Sequence, residues 1–214
     1  SSLYQFEQSL RYVLLIAMFA AGALIVLRVP ILSLFYQRGS FDADSISNLA
    51  SVLPWYLLAA IFIGGLNLLR TLFYSKGDFK NIAKLGLIIP IIFFVLASNL
   101  MEEFSFIGIG IAYALTAAIL FFTTIYLAKR RELNFLTYNF YFFILKNMLA
   151  VIIAYLFIIL SLPFISNFTS QFSLIAICLT LFSAIYLLSA KFIFRLKEME
   201  EIIMMLVIKL KNSL

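Results

Sequence analysis

Long apolar segments alternate with short polar connections along the whole chain. Each segment is close to or longer than the roughly 20 residues that a helix needs to cross a bilayer, and none alternates at every second residue as a spanning strand does. The pattern therefore predicts an all-α polytopic membrane helix bundle with six transmembrane helices. The predicted spans are residues 12–36, 53–74, 82–100, 106–128, 140–160 and 172–194.

Prolines and small residues add detail to these spans. Pro30 and Pro90 fall within spans, where neighbouring helices can satisfy the carbonyl groups that a proline leaves free, so kinks are expected there. Pro54 is expected at the start of a span and Pro163 in a connection. Small residues in the fourth span recur at spacings that favour close helix packing; they are Gly108, Gly110, Ala112, Ala114 and Ala118.

The basic residues predict how the bundle is oriented. With the first residues placed in the cytoplasm, every Lys and Arg except Arg28 and Arg38 falls on the inner side, as the positive-inside tendency requires. Both ends of this segment are therefore predicted to be cytoplasmic, and the membrane to be the cytoplasmic one. Residues 196–212 place charges around an apolar middle, which indicates an amphipathic interfacial helix. The predicted organisation is a transmembrane bundle, residues 1–195, followed by a cytoplasmic amphipathic tail, residues 196–214.

Composition removes several classes of function. The chain is 64% apolar and 12% charged, whereas soluble domains are about half apolar and a quarter charged. Its net charge of +6 suits cytoplasmic loops beside anionic membrane lipids, so no nucleic-acid binding is expected. Histidine is absent, and the single Cys178 lies in an apolar run, where a packing role is expected. Glu102 and Glu103 are expected in a solvated outer loop, and no nucleophile or phosphate-loop motif occurs. We predict no enzyme, no metal site and no cofactor.

The stretch LFYQRGSFD, residues 34–42, ends the first span and starts the next helix. Gly39 can adopt the left-handed conformation that ends a helix, and Asp42 and Asp44 can cap the helix that follows. Arg38 then lies where a helix C-terminus favours a cation and where its guanidinium can reach lipid headgroups. The stretch is therefore predicted to form a corner on the outer face.

This corner and the basic loop after the second span together resemble the MurJ/MviN lipid II flippases. In that family an apolar helix ends in an L-L/F-x-x-R/Y-G-x-F corner, and the next helix runs into an A/T-x-F-Y-x-x-x-D loop. The matching positions are Leu34, Phe35, Arg38, Gly39 and Phe41, then Phe73, Tyr74 and Asp78. The resemblance implies a fourteen-helix fold of the MOP exporter superfamily. This chain would supply the ninth to fourteenth helices, and the missing N-terminal lobe of the same protein would be its partner.

The resemblance also implies an activity. Such a flippase moves an undecaprenyl-pyrophosphate-linked saccharide, the peptidoglycan precursor lipid II, outward by alternating access. Two departures from the family pattern, Arg28 before Pro30 and the pair Lys80-Asn81, leave open an exporter of another polyprenyl-linked polysaccharide precursor. A non-transporting membrane scaffold for cell-envelope synthesis is a second alternative, whereas an intramembrane transferase would lack the acid pair or histidine that it needs.

One face of the second span carries the candidate substrate-binding residues. At 100° per residue, Asn67, Arg70 and Tyr74 lie close to one line, and the opposite side is apolar. The polar face is expected to point towards protein or a water-filled cavity. Asn67, Arg70 and Tyr74 would then line a path for a polar headgroup, with Arg38 at the corner as a fourth contact. The alternative is a packing face from which Arg70 extends to the inner interface.

Overall fold

The computed structural model of the chain describes residues 2–36, 42–131, 133, 135–166, 170–196 and 198–201. Within these ranges, six helices are long and apolar enough to cross a membrane, so the predicted all-α six-span bundle is confirmed. The helices are α1 (Ser2–Tyr36), α2 (Ala43–Ser75), α3 (Phe79–Phe104), α4 (Phe106–Arg130), α5 (Tyr138–Ser166) and α6 (Gln171–Leu188). A π-helical turn, Ser189–Ile193, continues α6.

Helices α1, α2 and α4 form the centre of the bundle. Helix α2 packs against both α1 and α4, and α3 packs mainly on α4. Helices α5 and α6 pack on each other and on the other side of α1. Gly22 permits this second contact, because a Cβ there would lie 2.6 Å from Val151 Cγ1. The result is a four-helix unit, α1 to α4, and a helix pair, α5 with α6, which meet along α1.

The corner between α3 and α4 shows why the fourth span needs small residues. Ser105, the single residue between these helices, has φ 51°, and the Gly108 amide donates to the Ser105 carbonyl oxygen at 3.1 Å. A Cβ at Gly108 would overlap the Leu100 carbonyl oxygen, and one at Gly110 would lie 2.9 Å from Val52 Cγ1. Close helix packing at these glycines is therefore confirmed.

Two helices begin earlier than the hydropathy pattern predicts. Helix α1 begins at Ser2 rather than near residue 12, because Glu7 and Arg11, which make this turn look polar, form an ion pair with each other. Helix α2 begins at Ala43 rather than near residue 53, and the predicted cap at Asp42 is confirmed. Asp42 Oδ1 accepts a hydrogen bond from the Ser45 amide at 2.9 Å, which satisfies a donor that has no partner in the helix.

Two connections were predicted wrongly. Pro163 lies inside α5 rather than in a connection, because the φ of proline is helical and the hydrogen bond and carbonyl that it disturbs lie close to the end of the helix. Glu102 and Glu103 form the last turn of α3 rather than a loop; both are exposed, so the charges do not prevent helix formation. Pro30 and Pro90 lie within helices as predicted. The left-handed conformation predicted at Gly39 lies outside the described residues, as does the predicted tail after residue 201.

Candidate functional site

The side of α2 predicted to be apolar packs into the bundle. Gly65, Leu69, Leu72 and Phe73 are all buried, and a Cβ at Gly65 would meet the Phe121 ring of α4 at 2.6 Å. This division of the helix into two sides follows the predicted periodicity. Near the middle of α2 the division fails at Leu58, which shares the side of Gly65 at 100° per residue but is 39% exposed.

The opposite side of α2 is mostly exposed in the described bundle. We define the α2 polar face as Asn67, Arg70, Thr71 and Tyr74. Asn67, Thr71 and Tyr74 are exposed and Arg70 is half-buried. Arg70 Nη1 donates to Asn67 Oδ1 at 3.4 Å, and Thr71 Oγ1 donates to the Asn67 carbonyl oxygen at 3.1 Å. The face is therefore a cation with an adjacent amide and hydroxyl, on a surface otherwise rich in exposed apolar side chains.

The guanidinium of Arg70 has most of its donors available. It forms no ion pair with any acid in the described part of the chain, and the Asn67 contact uses one of its five N–H groups. Arg70 lies five residues before the end of α2 at Ser75, or about 8 Å along the helix axis. Such a group can bind two oxygens of one phosphate at once, which lysine cannot do in the same way.

Tyr74 and the following turn position the end of the polar face. The Tyr74 ring stacks on Phe79 of α3 with centroids 5.4 Å apart and planes at 18°. Gly77, with φ 72°, makes the turn between α2 and α3. Asp78 Oδ2 then pairs with Arg131 Nη2 at 3.1 Å, which ties this turn to the end of α4. The aspartate that matches the second family motif therefore has a structural role, and its partner was not predicted from the sequence.

Three of the four predicted site residues thus lie on one face. Asn67 and Arg70 are in contact, and Tyr74 lies one helical turn further along the same side. Arg38, the fourth, lies outside the described residues. The grouping of the three is compatible with a headgroup path, and their role in binding stays a prediction.

Sequence reasoning missed a charged cluster with two buried carboxylates at the end of the bundle that holds residues 2–11, which we term the N-terminal side. The N-terminal-side cluster consists of Glu7, Arg11, Thr137 and Glu198. Arg11 donates to Glu7 Oε1 at 2.5 Å and to Glu198 Oε1 at 2.6 Å. Thr137 donates to Glu7 through its hydroxyl at 2.8 Å and its amide at 3.2 Å. The i, i+4 spacing of Glu7 and Arg11 was a visible signal, but the contact with Glu198, at the other end of the chain, was not.

The sequence of the chain matches one known protein family over most of its length. The sequence model of the family described as lipid II flippase MurJ matches residues 2–189. The chain belongs to the MurJ family. The resemblance seen in the corner and loop motifs is therefore confirmed.

Curated relatives and one solved structure extend this result. The chain is 32% identical over 116 residues to the probable lipid II flippase MurJ of Synechocystis sp., covering 52% of this chain and 21% of the relative. It is 31% identical over 118 residues to the probable lipid II flippase MurJ of Rickettsia prowazekii, covering 52% of this chain and 22% of the relative. A structure titled lipid II flippase MurJ, inward closed conformation, matches with a TM-score of 0.73 and 19% identity, over 90% of this chain and 39% of that chain. The chain thus shares the MurJ fold but aligns with only a minor part of each relative.

Proposed function

We propose that this chain forms part of a flippase that moves lipid II, an undecaprenyl-pyrophosphate-linked peptidoglycan precursor, outward across the cytoplasmic membrane. Membership of the MurJ family and the matching fold support this proposal. The observation that supports particular residues is the α2 polar face, where the half-buried Arg70 has no acidic partner among the described residues.

The chemistry of the substrate suits this face. A lipid-linked pyrophosphate presents several anionic oxygens, for which a guanidinium is a strong and directional partner. Asn67 and Thr71 beside Arg70 can bind the hydroxyl and amide groups of a saccharide. An unpaired arginine on a membrane helix is costly, and such residues usually face a protein interior or a water-filled cavity. We therefore propose that the α2 polar face lines the substrate cavity rather than the lipid.

Transport by alternating access requires the rest of the protein in this proposal. The aligned part of the chain corresponds to about a fifth of the curated relatives' length, and three of the four residues of the α2 polar face are exposed in the described bundle. Further helices, the N-terminal lobe, would form the opposite wall of the cavity. Expression of residues 1–214 alone in cells depleted of their own flippase is therefore expected to give no growth rescue, and rescue would contradict this division of the protein.

Two substitutions of Arg70 in the full-length protein test the role of the polar face. Phosphate binding predicts that both Arg70→Lys and Arg70→Ala reduce export of the lipid-linked precursor, because a point charge does not replace a bidentate contact. A loss of about 1.5–3 kcal/mol is expected for a hydrogen bond to a charged group. The matched control is Arg130→Lys, an exposed cation that packs over the Tyr126 ring at 5.0 Å.

Expression-normalised export of labelled precursor is the measurement. Near-normal export with Arg70→Lys, and loss only with Arg70→Ala, would mean that Arg70 merely extends to the membrane interface. Normal export with both variants would remove Arg70 from the site. Supplying a different polyprenyl-linked saccharide in the same assay separates lipid II from the alternative substrate class.

The proposed orientation places the N-terminal side in the cytoplasm, with the α2–α3 turn on that side. Single cysteines at Lys76 and Glu103 in a Cys178→Ser background provide the test. An impermeant maleimide applied to intact cells is expected to label Glu103→Cys but not Lys76→Cys. The reverse labelling would invert the orientation.

A further inference from the structure

A cavity lies between α1 and the beginning of α2, at the end of the bundle opposite the N-terminal side. Its volume is about 340 Å³, and its polar lining consists of Arg28 and Ser33 from α1 with Ser47 and Ser51 from α2. The remaining lining is apolar or small. Arg28 is the charged residue of this lining, and Val29, Ala43 and Ser47 are exposed, so the cavity is an open cationic site at the surface of the bundle.

The depth of Arg28 makes its charge unusual. Arg28 lies eight residues before the end of α1 at Tyr36, or about 12 Å along the axis. Its Nη1 donates to the Ile25 carbonyl oxygen of its own helix at 2.8 Å, and it forms no ion pair within the described ranges. Asp42, near the cavity mouth, instead caps α2 through the Ser45 amide. An unpaired cation within a membrane-spanning helix is costly, so a partner from outside the chain would stabilise it.

Two hydroxyl groups of the cavity are also available. Ser51 Oγ donates to the Asn48 carbonyl oxygen at 2.6 Å, which uses its proton. Ser33 and Ser47, in contrast, make no side-chain hydrogen bond to other described residues. The remaining guanidinium N–H groups and these two hydroxyls are therefore donors that line one cavity, and the described lining contributes no carboxylate. Clustered donors of this kind suit the oxygens of a phosphate.

We propose that this cavity binds the phosphate group of an anionic lipid headgroup, with Arg28 as its ion partner and Ser33 and Ser47 as hydrogen-bond donors. It is separate from the α2 polar face, because Ser47 lies about 160° around the helix from Asn67 at 100° per residue. The proposal therefore stands independently of the proposed transport path. The lipid can be a membrane phospholipid or a polyprenyl pyrophosphate, and both sources offer the same chemistry.

Trp55 provides a probe inside the chain. It is the single tryptophan of the sequence, lies one helical turn after Ser51, and is 36% exposed. The full chain is reconstituted in phosphatidylcholine vesicles that contain brominated phosphatidylglycerol or, separately, brominated phosphatidylcholine at the same fraction. Quenching of Trp55 fluorescence by the two lipids gives their relative binding. The wild-type chain is expected to prefer phosphatidylglycerol about fivefold, the factor that one basic residue near a lipid surface supplies.

Variants assign this preference to the cavity. Arg28→Gln is expected to reduce the ratio of phosphatidylglycerol to phosphatidylcholine binding to about one. The double variant Ser33→Ala with Ser47→Ala keeps every charge and is expected to reduce this ratio partly. Arg130→Gln removes the same charge from the N-terminal side and should leave it unchanged. Retention of the preference in Arg28→Gln, or equal loss in Arg130→Gln, would overturn the proposal. The serine variant keeps the test informative if the loss of Arg28 disturbs folding, since an unchanged preference there would exclude the hydroxyl contacts.

Competition identifies the source of the phosphate. Unlabelled undecaprenyl pyrophosphate and unlabelled phosphatidylglycerol are added against the brominated lipid, together with oleate as an anion without phosphate. Displacement by both phosphate lipids supports a general phosphate site, and much stronger displacement by undecaprenyl pyrophosphate assigns the site to a polyprenyl-linked ligand. Equal displacement by oleate would refute recognition of phosphate.

Discussion

Replacing Arg11 by methionine should destabilise the bundle strongly, because this residue neutralises two buried carboxylates at once. The side chains of Glu7 and Glu198 are 3% and 6% exposed. Methionine keeps an apolar stem but removes the guanidinium, whose carbon lies 5.5 Å from the Phe143 ring centroid. Both acids would then remain buried without a cation.

The expected magnitude follows from the number of donors that each acid retains. Glu7 keeps the hydroxyl and amide of Thr137, whereas Glu198 loses the one described side-chain donor that contacts it. Removal of one partner from a buried ion pair costs about 3–5 kcal/mol. For a chain of this size, that corresponds to a decrease of roughly 10 °C in the unfolding midpoint.

Thermal unfolding in detergent measures the effect. Arg130→Met, at an exposed cation on the same side of the bundle, is the control and should cost no more than about 1 kcal/mol. Combining Arg11→Met with Glu7→Gln and Glu198→Gln removes all three charges and should recover more than half of the loss. If Arg11→Met behaves like the control, the cluster does not stabilise the bundle. If the triple variant is no better than Arg11→Met, the loss does not arise from uncompensated charge.

Two further substitutions test the packing of the bundle by the same thermal unfolding measurement. Gly108→Ala should lower the unfolding midpoint, because its Cβ would overlap the Leu100 carbonyl oxygen. Gly86→Ala is the control: the space around Gly86 is open, so this change should be neutral or stabilising by about 0.5–1 kcal/mol. Equal effects of the two changes would contradict the close approach of α3 and α4. Tyr186→Phe should cost about 1–3 kcal/mol, because the buried Asn147 side-chain oxygen loses a hydroxyl donor at 2.7 Å. Adding Asn147→Leu to Tyr186→Phe should recover part of that cost, and a further loss would show that this hydrogen bond is not the source of the effect.

The spans and the faces of α2 could be predicted because both depend on local sequence. A bilayer fixes the length of an apolar helix, and 100° per residue fixes which side chains share a side. The capping role of Asp42 was also readable, since it involves the Ser45 amide three residues away. These features need no knowledge of how the helices meet.

Several features that the sequence did not predict depend on contacts between residues far apart in the chain. The charges of Glu7 and Arg11 suggested that α1 begins later, and the contact of Arg11 with Glu198, which adds to the Glu7–Arg11 pair, joins residues far apart in the sequence. The pairing of Asp78 with Arg131 likewise joins two turns that are separate in sequence. The cavity beside Arg28 forms between α1 and α2. The residue pattern within a single helix cannot predict it.

Crosslinking of the substrate to the α2 polar face tests the central claim most directly. A photoreactive amino acid is placed at Asn67 in the full-length protein, and cells with labelled lipid-linked precursor are irradiated. The matched control is Phe122 of α4, which is 59% exposed and lies, like Asn67, eight residues from the end of its helix on the N-terminal side. We predict that the precursor crosslinks at Asn67 and not at Phe122. Equal crosslinking at both positions, or crosslinking at Phe122 alone, would contradict the assignment of this face to the substrate path.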